Sequence, residues 1–378
     1  MQCIPSFKRV HSKDQRLHYQ HLFHPFLAYE TRGAEVPHPR HLGLSRGDDG
    51  QPDAIRCYSI YESWKTMELR KGSESEIVRF RDVGKCYGSA NALQHVDLAI
   101  EQGAVCALIG ENGAGKSTLI RILLGLSAPT SGSVALFGHT DAAEVRAARV
   151  RIGYMPDLSG AWMHLSARAN MKARCAEWGV PSDCIDSLLQ FVGLAETGRK
   201  PVHSFSLGMK RRLDLAIALL GNPDLMVLDE PINGLDSTGV AAIRDLLVHL
   251  NRDMKKTVLL SSHNLDELDK VATQFVFIKR GAVVRSLSKA ELEAERAGAF
   301  MVEAVDGHQA GRIAEILGAQ YAPAAHGETK LEIACPEGCE ADLLTRLATN
   351  GLGVKAAYRE RMALDEYYRS LLVESEAA

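Results

Sequence analysis

The segment Gly110–Ser117, GENGAGKS, constrains this chain more than any other stretch. It fits the pattern G-x-x-x-x-G-K-[ST], follows the apolar run Ala104–Gly110 (AVCALIG), and precedes a helix-forming pattern at Ser117–Leu126. Each residue type there has a physical task. Glycines let backbone N–H groups wrap an anion without a Cβ clash, and a helix starting at that point turns the positive end of its dipole toward the same anion. Lys116 is placed to reach the outer phosphates of a nucleotide, and the Ser117 hydroxyl to ligate Mg²⁺. The candidate phosphate contacts are therefore Gly110, Glu111, Asn112, Gly113, Ala114, Gly115, Lys116, Ser117 and Thr118. A glycine-rich turn that matched by chance would not stand between a buried strand and a helix.

A second segment, LMVLDEP at Leu225–Pro231, delivers two carboxylates to the end of an apolar strand, where open α/β sheets place their ligands. Asp229 is the candidate metal ligand, and Glu230 the candidate base that polarises a water attacking the γ-phosphate. Between and beyond these motifs the periodicity predicts helices at Leu207–Gly221, Thr238–Lys255 and Leu265–Ala272, and strands at Leu225–Leu228 and Thr257–Ser261. Residues 141–203 read mostly as helices broken by Gly and Pro. Near Glu76, IVRFRDVGKCY and ALQHVDLAI alternate as half-exposed strands do, and past Ala290 a weaker mixed pattern runs to the end. Strands alternating with helices predict an α/β core around a parallel sheet.

Further motifs carry a resemblance. FSLGMKRRLDLAIALL at Phe205–Leu220 resembles the signature segment of ABC-type ATPases in its Ser-Leu-Gly-Met form. NGLD at Asn233–Asp236 resembles that family's loop toward the opposite subunit, and SSHNLDE at Ser261–Glu267 its switch-histidine segment, with His263 as the switch residue. KCYG at Lys85–Gly88 offers Tyr87 where the family stacks an aromatic ring on adenine. The resemblance spans roughly Glu76–Leu287 and is closest to ATPase subunits of drug, antibiotic and natural-product exporters. It implies a P-loop NTPase core with an antiparallel β subdomain and a helical subdomain at about 158–220, all within 76–290. A small C-terminal α+β accessory domain would occupy 291–378, and LDEYYRSLL (Leu364–Leu372) resembles its end.

The same resemblance implies ATP and Mg²⁺ as ligands. Two ATPase subunits would face head to tail, Ser206 and Gly208 of one meeting the ATP on the other's phosphate loop. It implies an integral membrane permease as partner, and a cytoplasmic subunit held at the inner face of the membrane by that permease. One departure stands out. In IGYMPD (Ile152–Asp157), Asp157 replaces the Gln that the family uses as a Mg²⁺ ligand, so Asp157 is a candidate ligand of shorter reach and different charge. The alternatives are a soluble ABC-type ATPase acting on ribosomes or DNA, and a nucleotide-binding regulatory module without turnover. A single core, the absence of heptads and the charge balance argue against the first, and intact Glu230 and His263 against the second.

Composition supports these limits. With 44 Lys+Arg against 47 Asp+Glu the net charge is -3; residues 1–66 hold nine basic and seven acidic residues, leaving about -5 on the rest. No nucleic-acid partner is expected from an acidic body. The three basic residues Lys210, Arg211 and Arg212 are expected to form a solvated or phosphate-facing surface. No apolar run approaches the ~20 residues of a membrane helix. Eight Cys are no disulfide framework in a chain of 378 residues, and their spacing suits a reducing cytosol. The close pair Cys335 and Cys339 lacks the further ligands a zinc site needs. Residues 1–66 hold six of the 14 His and five of the 13 Pro without periodicity. The stretch 1–75 is thus expected to be a disordered tail, a family-specific extension, or upstream sequence before a start at Met67.

Overall fold

The structure, a computed structural model, describes residues 75–377 except 322, 326, 336 and 337. The expected extension at 1–75, with its six histidines, lies almost wholly outside the described residues. Two compact units divide between Ser286 and Leu287.

In the first unit, β1 (Glu76–Tyr87) and β2 (Ala90–Glu101) pair antiparallel, and β3 (Val105–Ile109) runs into α1 (Lys116–Leu123). β4 (Ser131–Leu136) returns to β1 and completes a three-stranded sheet in the order β2-β1-β4. Next come α2 (Ala142–Ala148), β5 (Ile152–Met155), α3 (Ala167–Trp178), α4 (Ile185–Phe191) and α5 (Leu207–Ala218). The remainder is β6 (Leu225–Asp229), α6 (Ser237–Arg252), β7 (Thr257–Ser261), α7 (Leu265–Val271), β8 (Gln274–Lys279) and β9 (Ala282–Ser288). Six strands form one sheet in the order β5-β6-β7-β3-β8-β9, with every pair from β5 to β8 parallel.

The apolar runs explain the sheet. β3 and β7 are buried along their whole length, as is β6 up to Leu228, so both sheet faces are covered. Phe80, Val96, Leu119 and Ile120 join β1, β2 and α1 to this sheet in one continuous core. Side-chain caps start the helices: Ser166 for α3, Ser206 for α5, Asp236 for α6 and Asn264 for α7 each accept a backbone N–H of the first turn.

The stretch 141–203 differs from its mostly helical expectation, because Ile152–Met155 is a strand, paired with β6. The signal is weak: four residues with a glycine among them. Gly153 is there for packing, since a Cβ would come within 2.2 Å of the Ala218 carbonyl oxygen at the end of α5. β4, β8 and β9 are also strands without a counterpart in the sequence reading.

Helices α3, α4 and α5 share a core of their own, including Met171, Trp178, Leu189, Leu213 and Ile217. Inside it lies a polar cluster. Arg174 of α3 donates to the Gly160 carbonyl (2.8 Å) and to Glu177 (2.6 Å), and its guanidinium stacks on Trp162, 4.1 Å from the ring centre. Asn170 of α3 exchanges hydrogen bonds with the backbone of Trp162. Asp214 of α5 accepts from Ser159 Oγ at 2.7 Å. Arg211 and Arg212 depart from the expected solvated surface. Arg211 is buried against the backbone of Pro156 and Asp157, and Arg212 donates to the carbonyls of Val192 and Gly193. Unpaired carbonyls of loops and helix ends are good partners for a guanidinium, which explains why Arg211 can face inward from a basic run.

The second unit contains α8 (Lys289–Glu295), β10 (Ala297–Ala304), α9 (Gly307–Tyr321), β11 (Ala324–Ala325), β12 (Lys330–Ile333), α10 (Glu340–Thr349), β13 (Val354–Arg361) and α11 (Leu364–Ala377). From β10 to β13 this is a βαββαβ chain, and its antiparallel sheet has the order β11-β12-β10-β13, the split-βαβ arrangement. Ile313 and Leu317 from α9 and Leu343 and Leu347 from α10 share its core with Phe300, Val302 and Leu331. Cys335 and Cys339 are joined as a disulfide, a local link that the expectation of reduced cysteines does not anticipate.

Burial pushes the Asp214 carboxyl up to about 7, against the pull of Ser159, Arg211 and Arg174. The unfolded chain releases that proton near 3.8, so the folded state holds more protons between those values and loses stability as pH rises through that window. Asp214→Asn removes this penalty. Urea unfolding at a series of pH values should show the variant gaining on the wild type from about pH 4 to pH 7 and then holding a constant difference. Parallel stability curves across that range would contradict the assignment.

Candidate functional site

Four parallel strands end at one edge of the six-stranded sheet, and each releases a segment singled out by sequence. Asp229 on β6 is level with Ser261 on β7, which is level with Leu108 on β3; Met155 on β5 is level with Leu228. The glycine loop, the acidic pair, His263 and Asp157 therefore leave the sheet side by side.

The loop after β3 is shaped as an anion cradle. Gly115, the N-cap of α1, has φ 113°, and a Cβ there would come within 2.8 Å of Leu93 and 2.9 Å of the Ala92 carbonyl oxygen. No side chain caps α1 and its first turn holds no acidic residue, which leaves the positive end of the helix dipole facing the cradle. Lys116 is buried, and its ammonium donates to the carbonyls of Gly110 and Glu111, across the loop. Burial lowers its pKa, while Glu230 and Asp229 oppose that shift. The lysine is thus held over the cradle as a charge near both carboxylates. Ala114 is buried beneath the loop, and Glu111, Asn112, Gly113 and Ser117 face outward with Thr118 half-buried.

At the end of β6, Ser261 organises the acidic pair. Its hydroxyl donates to Asp229 Oδ1 at 2.6 Å and accepts from the Glu230 N–H at 3.1 Å, and the Ser261 carbonyl accepts from the same N–H at 3.1 Å. Glu230 has φ 50°, a left-handed backbone that costs a residue with a Cβ on the order of 1–3 kcal/mol. The hydrogen bonds from β7 hold it there and aim its side chain out of the strand line. His263 Nδ1 shares a hydrogen bond with Glu230 Oε2 at 2.9 Å; the histidine is well exposed and the carboxylate largely covered. The sequence marks Ser261 only as a strand end and as context for His263. A serine closing a fully buried strand, opposite an acidic strand end, is the signal that marks it.

Of the other candidates only Asp157 follows a strand of this edge, β5, whereas Tyr87 stands on the three-stranded sheet and Ser206 and Gly208 at the start of α5. Tyr87, 46% exposed, ends β1 with its ring centre 4.9 Å from Lys85 Nζ and its hydroxyl 3.4 Å from Ser127. Ser206 caps α5, and Gly208 follows in its first turn beside the exposed Leu207. Asp157 is half-exposed, and its carboxylate is engaged: Arg211 Nη2 donates to Oδ1 at 3.1 Å.

The residues present suit Mg²⁺ bound together with phosphate. Ser117 and Asp229 offer hard oxygen donors, whereas the described residues contain no group of three or more His, Cys, Asp and Glu side chains placed as a metal cage. Two protein oxygens completed by phosphate oxygens and water is the arrangement Mg²⁺ favours.

Comparison with known proteins agrees with this geometry. Residues 93–233 match the family described as ABC transporter. The bacitracin transport ATP-binding protein BcrA of Bacillus licheniformis is 37% identical over 214 residues, 56% of this chain and 70% of that protein. The lantibiotic transport ATP-binding protein SrtF of Streptococcus pyogenes is 38% identical over 209 residues, 55% and 89% of the respective chains. The daunorubicin resistance ATP-binding protein DrrA3 of Streptomyces coeruleorubidus is 38% identical over 218 residues, covering 57% and 69%. Among solved structures, cbiO1 of Clostridium perfringens, part of the transporter complex cbiONQ, superposes with a TM-score of 0.54 at 27% identity, over 59% of this chain and 92% of that one. The dimeric ATP-binding cassette MJ0796 bound to ADP and Pi gives a TM-score of 0.50 at 26% identity, over 56% and 99%. An edge that gathers a glycine cradle, an acidic pair and a histidine, on a sheet shared with these cassettes, leads to one conclusion: the chain belongs to the ABC transporter ATP-binding family.

Proposed function

We propose that this chain hydrolyses ATP between two head-to-tail copies and so drives a separate integral membrane permease that exports its cargo. The observation that carries the reading is the side-by-side release of the phosphate loop, Asp229–Glu230 and His263 from three neighbouring parallel strands. In this reading residues 76–290 are the ATP-binding domain, with the helices of about 158–220 facing the permease, and 291–378 are an accessory domain.

The backbone of Gly110–Thr118 wraps the phosphates, and Lys116 exchanges its loop carbonyls for phosphate oxygens. That exchange is favourable because a buried ammonium gains more from an anion than from neutral carbonyls. Tyr87 stacks on the adenine. Ser117 and Asp229 hold Mg²⁺, which when bound neutralises charge developing on the transferred phosphoryl group. Glu230 orients and deprotonates the attacking water with the oxygen that His263 leaves open. His263, anchored by Glu230, contacts the γ-phosphate. The triphosphate site is completed by Ser206 and Gly208 of a second copy, at the N-terminus of a 12-residue helix that presents its own positive dipole end. ATP thereby becomes part of the interface, and its hydrolysis releases the closed pair.

No described helix is long and apolar enough to cross a membrane. We place the chain at the inner membrane face, held by the permease. Relatives named for bacitracin, lantibiotic and daunorubicin support an exported, antibiotic-like cargo, with its selection in the permease rather than in this chain.

Glu230→Gln keeps the size and hydrogen-bonding shape of the side chain while removing the base. It should lower phosphate release by about 10²–10⁴-fold and accumulate an ATP-dependent dimer in sedimentation velocity. A variant that hydrolyses ATP at the wild-type rate excludes Glu230 as the base.

A further inference from the structure

The segment leaving β5 belongs mechanically to the helices, not to the sheet that releases it. Four buried polar side chains hold it: Arg211 binds Pro156 and Asp157, Asp214 binds Ser159, Arg174 binds Gly160, and Asn170 binds Trp162. Two of these, Arg211 and Asp214, stand on α5, about one turn apart, in the same helix that Ser206 caps. The Arg211 guanidinium holds the first residues of the segment. It reaches the Pro156 carbonyl at 3.2 Å, the Asp157 carbonyl, and the Asp157 carboxylate at 3.1 Å, and its side chain is only 7% exposed. A planar fork on two carbonyls and a carboxylate fixes direction as well as distance, which an ammonium cannot do.

We propose that Arg211 and Asp157 work as one positioning pair that locks the strand-end loop after β5 to the helix carrying Ser206 and Gly208. Asp157 then serves as an anchor for Arg211 and not as a metal ligand. The pair gives one chain a rigid link between the edge that holds its own ATP and the helix end that meets the ATP of the second copy. Breaking it leaves both ends folded but sets α5 at a variable angle, so Ser206 and Gly208 reach the second copy's nucleotide less often. The loss appears in turnover at saturating ATP and in closure of the pair, while ATP binding to the single chain stays as it was. This rests on the ATPase reading above.

The test is a double-mutant cycle on the full chain with Asp157→Asn, Arg211→Gln and the two combined. Asp157 is half-exposed, so Asp157→Asn keeps the fold even where Arg211→Gln weakens it, and thermal melts accompany each variant. The pair predicts that either change lowers kcat by roughly tenfold, the scale on which small misplacements act, with unchanged Mg²⁺ midpoint and unchanged ATP affinity. The double variant should be no slower than the slower single variant, because one interaction cannot be removed twice. Asp157→Glu, which keeps the charge for Arg211, should recover part of the rate. Losses that multiply in the double variant, wild-type kcat in Asp157→Asn, or a raised Mg²⁺ midpoint in the Asp157 variants alone would overturn the pairing, the last by making Asp157 a metal ligand. A wild-type chain that does not hydrolyse ATP would instead remove the ATPase reading itself.

Discussion

The register of three parallel strands is the constraint on which the rest depends. Asp229 beside Ser261 and Ser261 beside Leu108 put the ends of β6, β7 and β3 at one height. Side chains alternate along a strand, so a slip of one residue in β6 would turn Asp229 away from Ser261. The polar ends of the apolar run oppose that slip, since moving β6 by one residue would draw the exposed Asp224 or the half-buried Asp229 into a fully buried position. Everything chemical is attached beyond the apolar runs, at the carboxyl ends. The site is therefore built by hydrophobic burial that touches none of the groups proposed to react.

The edge itself is less comfortable than the sheet. Lys116 is buried beside two carboxylates, and Glu230 sits in a left-handed conformation stabilised by hydrogen bonds from Ser261. Both arrangements cost stability and both make sense as preparation for a multiply charged ligand. The burial that penalises the Lys116 ammonium also strengthens its attraction for phosphate. The left-handed turn at Glu230 breaks the strand line and leaves one carboxylate oxygen clear of His263. The large core of the first unit supplies the stability that this edge gives up.

Much of this was readable in the sequence because the relevant signals are local. A glycine cradle needs its glycines at fixed spacing, and β3, β6 and β7 announce themselves as continuous apolar runs. What was not readable depends on partners distant in sequence. β5 is four residues long and carries Gly153, which only makes sense once α5 is seen against it. Lys210–Arg212 looks like a solvent-facing charge run until the carbonyls of 156–157 and 192–193 are brought to Arg211 and Arg212. Asp157 looked like a substitute for a metal-binding Gln, and in the fold its carboxylate meets a guanidinium. The strand order of the second unit likewise comes from pairings between β10, β12 and β13 that no periodicity encodes.

The central claim is that these strand ends form one triphosphate site with Lys116 as its buried cation. Isothermal titration of the full chain with ATP and Mg²⁺, beside Lys116→Ala, tests it most directly. The account predicts saturable binding to the wild type and an affinity at least about tenfold weaker in the variant, the loss expected when a charge-assisted hydrogen bond is removed. Equal affinity in the two proteins, or no binding to either, would contradict it.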